Sequence, residues 1–384
     1  MNLLKRIILT IALLANSATL FSQIFVNGIQ YNITSSNTVE VTFSKRGTTY
    51  EGHIVIPRSI YYEGRTYNVT AIGDGVFSYR PITGITLPEG LERIGEYSFA
   101  NTSIPSIVIP NSVTSLGENA FESSDIKSLT IGTGLTTISK YAFAGCWLEE
   151  IIIPDNITII EDYAFLACWF AKKIVLGNNV THIGEYAFCK CAEVTELFIP
   201  NSVKEIGHGA ICAIPTLKKL EIDCDTIKDW FHDGFELSFT DLIIGENVEV
   251  ISPGAFMRCH TIERLTISKD VREIGEEAFR YCQYMTDIYS NIPAEFLFEI
   301  SKSVFDAADK EKCNLHVPYN SKTKYSTTKY WNEFFNILNP GEMSIECVKS
   351  ETDKNNIYNL KGELINQPKE KGVYIIDGKK QFFK

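Results

Sequence analysis

The chain has 384 residues, 45% of them hydrophobic and 22% charged, a composition typical of folded globular proteins and not of disordered or low-complexity ones. Its 36 basic and 47 acidic residues give a net charge of −11, so it lacks the positive surface that a phosphate backbone requires. Nucleic acid is therefore not expected as a partner.

Residues 1–22 have the layout of a secretory signal peptide. Lys5 and Arg6 precede an apolar run over residues 7–14, and small and polar residues follow as far as Ser22. The run is shorter than the roughly 20 residues that a membrane span needs, and no later segment is long enough. We therefore expect cleavage after Ser22 and a secreted or cell-surface chain with no membrane span.

A repeat of 22 or 23 residues follows. We assign residues 23–81 to an N-terminal β-rich cap with a first divergent repeat, and residues 82–284 to nine repeats. Each unit starts with an apolar residue, places aliphatic residues three and five positions later, and contains Ile-Gly-x-x-Ala-Phe or a near relative. The last position of that motif is occupied by Phe77, Phe99, Phe121, Phe143, Phe165, Phe188, Ile211, Phe256 and Phe279. This spacing predicts one short strand, a turn and a compact return segment in every unit.

A unit of this length cannot bury its own apolar face, so the units must stack and share one core. The predicted architecture is a repeat solenoid with a curved parallel sheet, one short strand per unit, and an internal column of phenylalanines. The charges two positions after each unit start provide a check of register, because in-register pairing would place opposite charges side by side. They alternate in sign through Glu150, Lys173, Glu196, Lys219, Asp241 and Arg264.

The unit that starts at Leu217 departs from the pattern. Asp229 occupies an apolar position, residues 223–225 replace the usual turn, and the phenylalanine slips to Phe235. We expect a bend or a bulged loop there.

The C-terminal part divides into three segments. Residues 285–338 are predicted to form a terminal half-repeat and a capping helix, and residues 339–356 a polar linker. Residues 357–384 contain two strand patterns around a turn, which predicts a β-hairpin tail.

The repeat block resembles the BspA-like, Treponema-type leucine-rich repeats of surface proteins from Bacteroidetes and some protists. The lead-in from Ile24 to Arg80 and the segments 313–318 and 325–337 are similar to the entry and the terminal cap of such arrays. The tail resembles a short type IX secretion sorting domain; a small stabilising hairpin is the alternative. The resemblance implies an α/β-type leucine-rich repeat fold and adhesion to a host matrix or cell-surface protein.

The sequence contains none of the common catalytic motifs, neither a nucleophile elbow nor a zinc-protease or nucleotide-binding motif. Stacked repeats also present a ladder surface instead of the pocket in which catalytic groups converge. We therefore predict a non-enzymatic protein with no cofactor and no metal. A secreted hydrolase would need a pocket near Asp223 to Asp233.

The cysteines fall into columns of the repeat. Five lie three residues after the phenylalanine position, at Cys146, Cys168, Cys191, Cys259 and Cys282. Buried thiols behave as small hydrophobic groups, so we interpret these cysteines as part of the core. A Cys146–Cys168 disulfide remains an alternative.

Two metal sites are further alternatives. One is zinc at Cys189, Cys191, Cys212 and His208, and the other is calcium at Asp223, Asp225, Asp229 and Asp233.

One residue of each predicted strand should point out of the sheet, because side chains alternate along a strand. This outward column is rich in β-branched and aromatic residues, which favours a protein-binding concave face but is also explained by strand propensity. The predicted partner-binding residues are Val108, Ile152, Val175, Phe198 and Ile243, with Phe198 as the anchor. Surface glycan binding is the alternative function, for which the candidate residues are Trp147, Trp169, Phe170 and Trp230.

Overall fold

The computed structural model describes residues 23–43, 49–231 and 237–342, together with the backbone of four strands between residues 357 and 383. The predicted signal peptide and most of the predicted linker lie outside the described residues. The chain divides between Pro340 and Gly341 into two compact units, each of which is described by itself.

The first unit begins with strands that precede the regular array. They are β1 (Gln23–Val26), β2 (Ile29–Ile33), β3 (Thr38–Thr42), β4 (Gly52–Val55), β5 (Ser59–Tyr62) and β6 (Arg65–Ile72). Strands β1, β2 and β3 pair antiparallel, and β3 then pairs parallel with β6. This parallel pairing starts the stack to which the later units add.

Each of the next nine units contributes one longer strand and one two-residue strand, so parallel strands of two kinds repeat along the array, and three further longer strands follow. The longer strands are β7 (Ile82–Thr86), β9 (Ser106–Val108), β11 (Ser128–Thr130), β13 (Glu150–Ile152), β15 (Lys173–Val175), β17 (Glu196–Ile199), β19 (Lys219–Ile222), β21 (Asp241–Ile244), β23 (Arg264–Ile267), β25 (Asp287–Ser290), β26 (Asn314–His316) and β27 (Asn336–Leu338). The short strands are β8 (Arg93–Ile94), β10 (Ser115–Leu116), β12 (Thr137–Ile138), β14 (Ile159–Ile160), β16 (His182–Ile183), β18 (Glu205–Ile206), β20 (Thr226–Ile227), β22 (Val250–Ile251) and β24 (Glu273–Ile274). The predicted repeat solenoid is confirmed.

A column of aromatic rings fills the interior between the strands and the return segments. Neighbouring phenylalanine rings stack with centroids 5.0 to 5.6 Å apart, as between Phe99 and Phe121 and between Phe165 and Phe188. The column contains Phe77, Phe99, Phe121, Phe143, Phe165, Phe188, Ile211, Phe231, Phe256, Phe279 and Phe305, all buried. Tyr50 and Trp331 pack against its two ends. The return segments are turns, and the only α-helix among the described residues is a single turn, α1 (Lys322–Tyr325).

The glycine of the repeat motif is required by the close approach of successive turns. A Cβ atom at Gly117 would lie 2.3 Å from the backbone nitrogen of Glu96 in the preceding unit. Any other residue would therefore push the two turns apart, which explains why the motif carries glycine at this position.

The irregular unit is distorted, but not as the motif alignment predicts. Only three residues separate β19 from β20, whereas five separate β17 from β18. The turn is two residues shorter, and the column residue follows the short strand one residue earlier, four residues after Ile227 compared with five after Ile206. Phe231 therefore reaches the column and stacks on Phe256 with a centroid distance of 5.5 Å. The assignment of the column position to Phe235 is therefore wrong; Phe235 itself lies outside the described residues.

After the last regular repeat, the chain continues the ladder of longer strands through β25, β26 and β27. Two short 3-10 helices, at Ala294–Phe296 and Trp331–Glu333, and α1 lie between these strands. The second unit contains β28 (Ile357–Tyr358), β29 (Leu364–Ile365), β30 (Gly372–Ile376) and β31 (Lys379–Phe383), which pair antiparallel in the order β29-β28-β30-β31.

Candidate functional site

The outward side chains of the longer strands form one continuous surface, which we call the sheet face. On β17, Phe198 is 46% exposed, whereas its neighbours Leu197 and Ile199 are buried at 3% and 0%. This alternation is what strand geometry requires, because successive side chains point to opposite sides of the sheet. The sheet face is therefore built from one or two residues of every unit.

The structure places the five predicted partner-binding residues in one column of the sheet face. Ile152 lies directly opposite Val175, and Val175 and Phe198 line the same shallow depression. Glu221 separates Phe198 from Ile243, and Thr130 follows Val108 in the column. Val108, Ile152 and Val175 are 63%, 51% and 36% exposed, and Ile243 is half-buried. The contiguous apolar part is thus Ile152, Val175 and Phe198.

The alternating charges form a second column beside the first. Glu150 lies opposite Lys173, Lys219 opposite both Glu196 and Asp241, and Arg264 opposite Asp241. The predicted register is confirmed for these pairs.

Two ion pairs are formed directly within this part of the sheet face. Arg264 donates two hydrogen bonds to Asp241, one of them from Nη2 to Oδ2 over 2.6 Å, and these bonds lower the pKa of the Asp241 carboxyl. Lys219 instead pairs with Glu221 on its own strand over 3.1 Å. Because these groups are partly exposed to solvent, their ion pairs stabilise the fold only modestly, and they act mainly as a polar surface.

The column continues beyond the last recognised repeat, which the sequence analysis missed. Tyr289 lies opposite Thr266 on one side and His316 on the other, and its ring stacks on the His316 imidazole with a centroid distance of 4.3 Å. Asp287 Oδ1 accepts hydrogen bonds from His316 Nε2 at 2.9 Å and from Asn314 Nδ2 at 3.0 Å. The available signal was spacing, because Tyr289 follows Thr266 by one repeat length.

Burial acts to raise the pKa of Asp287, but the hydrogen bonds from His316, Asn314 and Thr286 outweigh it and lower the pKa. The carboxylate is therefore held ionised. It fixes the imidazole of His316 against the ring of Tyr289.

A second depression, with a volume of about 330 Å³, is lined by Ile243, Thr266 and Tyr289 of the outward column. Its polar lining is formed by Glu196, Lys218, Lys219, Asp241 and Arg264. The first depression, beside Val175 and Phe198, has a volume of about 360 Å³. Both are open and shallow, which suits an extended ligand or a partner surface better than an enclosed small molecule.

Two of the four aromatic residues considered for glycan binding contact each other, and a third pairs with a lysine. Trp147 contacts Phe170 edge to face with centroids 5.8 Å apart, and Lys190 lies over the ring of the exposed Trp169. Trp230 is half-buried and packs on Phe231 instead.

The depression next to Trp169 is lined mainly by apolar side chains, including Ile214, Pro215 and Leu237. Its Ser238 hydroxyl donates to the carbonyl of Ile214. A sugar would find few free polar partners at this edge.

The cysteine columns are interior. All nine cysteines among the described residues are buried and none of them forms a disulfide, which confirms the structural interpretation for that part of the chain. The column thiols donate to phenylalanine carbonyls of the preceding unit, as Cys146 does to Phe121 over 3.1 Å and Cys259 to Phe231 over 3.1 Å. Burial raises the pKa of Cys146 to about 12. The Cys146–Cys168 disulfide is not formed.

Within the described residues, no group of three or more histidine, cysteine, aspartate or glutamate side chains is arranged to hold a metal ion. The zinc alternative at Cys189, Cys191, Cys212 and His208 is therefore not supported. Asp223 joins its turn to the turn of the next unit by accepting hydrogen bonds from Asn247, and Asp225 accepts one from Thr226, while Asp233 lies outside the described residues.

Most of the repeat array matches a known family of leucine-rich repeats. A family model described as "BspA type Leucine rich repeat region (6 copies)" matches residues 65–172, 115–238, 158–286 and 226–326. No curated protein matches the chain significantly. In the part of the chain that the structure describes, no helix is both long enough and apolar enough to cross a membrane.

Several crystal structures are similar to the chain. A leucine-rich repeat protein from Bacteroides ovatus is 19% identical with a TM-score of 0.43, over 82% of this chain and 99% of that one. The pneumococcal vaccine antigen PcpA is 17% identical with a TM-score of 0.39, over 83% of this chain and 98% of that one. A leucine-rich repeat protein from T. pallidum is 17% identical with a TM-score of 0.28, over 69% of this chain and 91% of that one.

Proposed function

Because the chain belongs to the BspA-type leucine-rich repeat family, we propose that it is a non-enzymatic protein that binds another protein through its sheet face. The partner is a protein of the host matrix or of a cell surface, and the chain is secreted or displayed on the outside of the cell. The signal-peptide pattern of residues 1–22 supports export. Proteins with this fold typically act through their surfaces and not through catalysis.

The observation that carries the proposal is the contiguous apolar stripe of Ile152, Val175 and Phe198. Three neighbouring strands expose large aliphatic or aromatic side chains there, although each strand has room for polar residues at the same position, as Thr130 and Glu221 show. Exposed apolar patches of this kind mark interaction sites, because covering them removes apolar surface from water.

Phe198 is the expected anchor of this surface. Its ring is the largest side chain of the stripe, and Lys219 and Glu196 lie at the border of the depression that it lines. Phe198 lies at the end of the stripe, next to Glu221, so its ring joins the apolar patch to a polar rim. Large aromatic side chains bordered by polar groups are frequent among the few residues that carry most of the binding energy of an interface.

The test compares binding of the full chain and of a Phe198→Glu variant to a panel of immobilised matrix proteins and to whole host cells. The new carboxylate would lie in register beside Glu221, so it would both remove the anchor and add repulsion. We expect saturable binding by the parent chain and a loss of about 30-fold or more in the variant, as for an anchor residue.

Phe335→Glu is the matched control. Phe335 is 77% exposed and lies outside the stripe, so the same substitution there should leave binding unchanged. Equal binding by the parent and Phe198→Glu chains would refute the assignment of the stripe, and absence of binding to every matrix protein and cell would refute the adhesion proposal.

A further inference from the structure

The C-terminal half of the sheet face differs in chemistry from the apolar stripe. Along the outward column, Ile243, Thr266, Tyr289 and His316 follow one another on adjacent strands in register. Thr266 is the smallest of the four, so a slot opens above it between Ile243 and Tyr289. Strands spaced by about 4.8 Å place these two walls about 9.6 Å apart at the backbone, which leaves space for one ring between them.

The slot has one rigid aromatic wall. His316 stacks on one face of the Tyr289 ring with an interplanar angle of 9°, and Asp287 holds the imidazole by a hydrogen bond of 2.9 Å. The opposite face of the Tyr289 ring is turned towards Thr266. Because the ring is held before a ligand arrives, binding loses little side-chain freedom.

The slot also has a polar side with paired charges. The Arg264 guanidinium and the Asp241 carboxylate are bound to each other, and Lys219 is bound to Glu221. These groups keep further donor hydrogens and acceptor lone pairs for a ligand. A ligand with a single net charge would have to compete with the existing pairs, whereas a neutral ligand with hydroxyl groups can bind to both members without separating them.

We propose that this slot, formed by Ile243, Thr266, Tyr289, Arg264 and Asp241, binds an uncharged carbohydrate. One sugar ring lies with its C–H face against the Tyr289 ring, whose face is electron-rich, and its hydroxyls donate to Asp241 and accept from Arg264. The slot differs from the apolar stripe in its aromatic wall, because the Tyr289 ring is stacked on His316, which Asp287 holds by a hydrogen bond. The two depressions adjoin and share Thr195, Glu196 and Lys219. Tyr289 and Thr266 line only the slot, and Val175 and Phe198 only the first depression, so the two proposals are tested by different substitutions.

The experiment is calorimetric titration of the full chain with neutral cello-, xylo-, manno- and malto-oligosaccharides and, as a charged comparison, with chondroitin sulfate. We expect at least one neutral oligosaccharide to bind saturably with a dissociation constant below about 10 mM. Tyr289→Ala should weaken that binding by about tenfold or more, because it removes the aromatic wall, while Tyr289→Phe should keep it within about threefold.

Two further variants keep the test decisive. Thr266→Phe fills the slot at a half-buried, outward-pointing strand position and should abolish binding even if Tyr289→Ala proves unstable. Ile152→Glu, in the stripe but two strands farther from the slot than Phe198, should leave carbohydrate binding unchanged, which separates this proposal from the protein-binding one. The proposal is overturned if no neutral oligosaccharide binds, if only chondroitin sulfate binds, or if Thr266→Phe and the folded Tyr289 variants bind like the parent. It is also overturned if the slot variants abolish binding of a matrix protein but not of sugars.

Discussion

Stacking between the rings of the aromatic column should stabilise the fold beyond the effect of burying their apolar volume. Phe143 is fully buried between Phe121 and Phe165, with ring centroids 5.3 and 5.4 Å away and nearly parallel planes. Truncation of a buried phenylalanine, Phe143→Ala, should cost about 3–5 kcal/mol of unfolding free energy. Phe143→Leu keeps most of the apolar volume but loses two ring contacts of about 0.5–1.5 kcal/mol each, so we expect a cost of about 1–3 kcal/mol.

The assay is urea denaturation of the full chain, followed by circular dichroism and by tryptophan fluorescence. In a solenoid each unit is stabilised mainly by its neighbours, so a weak unit can unfold before the rest of the array. Trp147 follows Phe143 in the same turn and reports on that region. Phe335→Leu, at an exposed position, is the control and should change stability by no more than about 0.5 kcal/mol.

Two results would contradict this reasoning. If Phe143→Leu left the unfolding free energy unchanged, the rings would contribute only by filling apolar volume. Ile211 already fills the column in that way at the equivalent position of its own unit. If Phe143→Ala cost less than about 1 kcal/mol, the column would not be a close-packed core.

The buried thiols and the motif glycine give two further predictions. Burial raises the pKa of Cys146 and Cys282 to about 12, so both stay protonated in the folded chain while the unfolded chain ionises near pH 8.5. The contribution of these buried thiols to the free energy of unfolding is therefore fully present below about pH 8.5. Above that pH it should fall by up to about 1.4 kcal/mol per thiol for each pH unit. Urea midpoints between pH 8 and 10.5 should therefore decline less steeply in a Cys146→Ala/Cys282→Ala chain; parallel profiles would contradict this. Gly117→Ala should cost about 1–3 kcal/mol through overpacking against Glu96, and an unchanged melting temperature would show that the turns can separate freely.

The fold could be predicted from the sequence because the same unit of strand, turn and return segment is repeated along the chain. The spacing of Ile151 and Ile153 determines which side chains of a strand are buried, and recurrence of the same motif every 22 or 23 residues then predicts in-register stacking. The pairing of Glu150 with Lys173 follows from that register. The failure at Phe235 has the same origin, since a motif alignment assumes constant turn length and β19 to β20 is two residues shorter.

The direction of each outward side chain was determined by sequence alone, because alternation along a strand is a local property of the backbone. The surroundings of those side chains were decided only by the tertiary structure. The slot above Thr266 depends on residue sizes on three strands, 23 residues apart in the chain, and on a Tyr289 ring held by His316 beyond the last recognisable repeat. The irregular segments between β25, β26 and β27 interrupt the repeat motif, so the sequence pattern does not reveal that the outward column continues. Hydrogen bonding between these strands nevertheless keeps the column residues side by side.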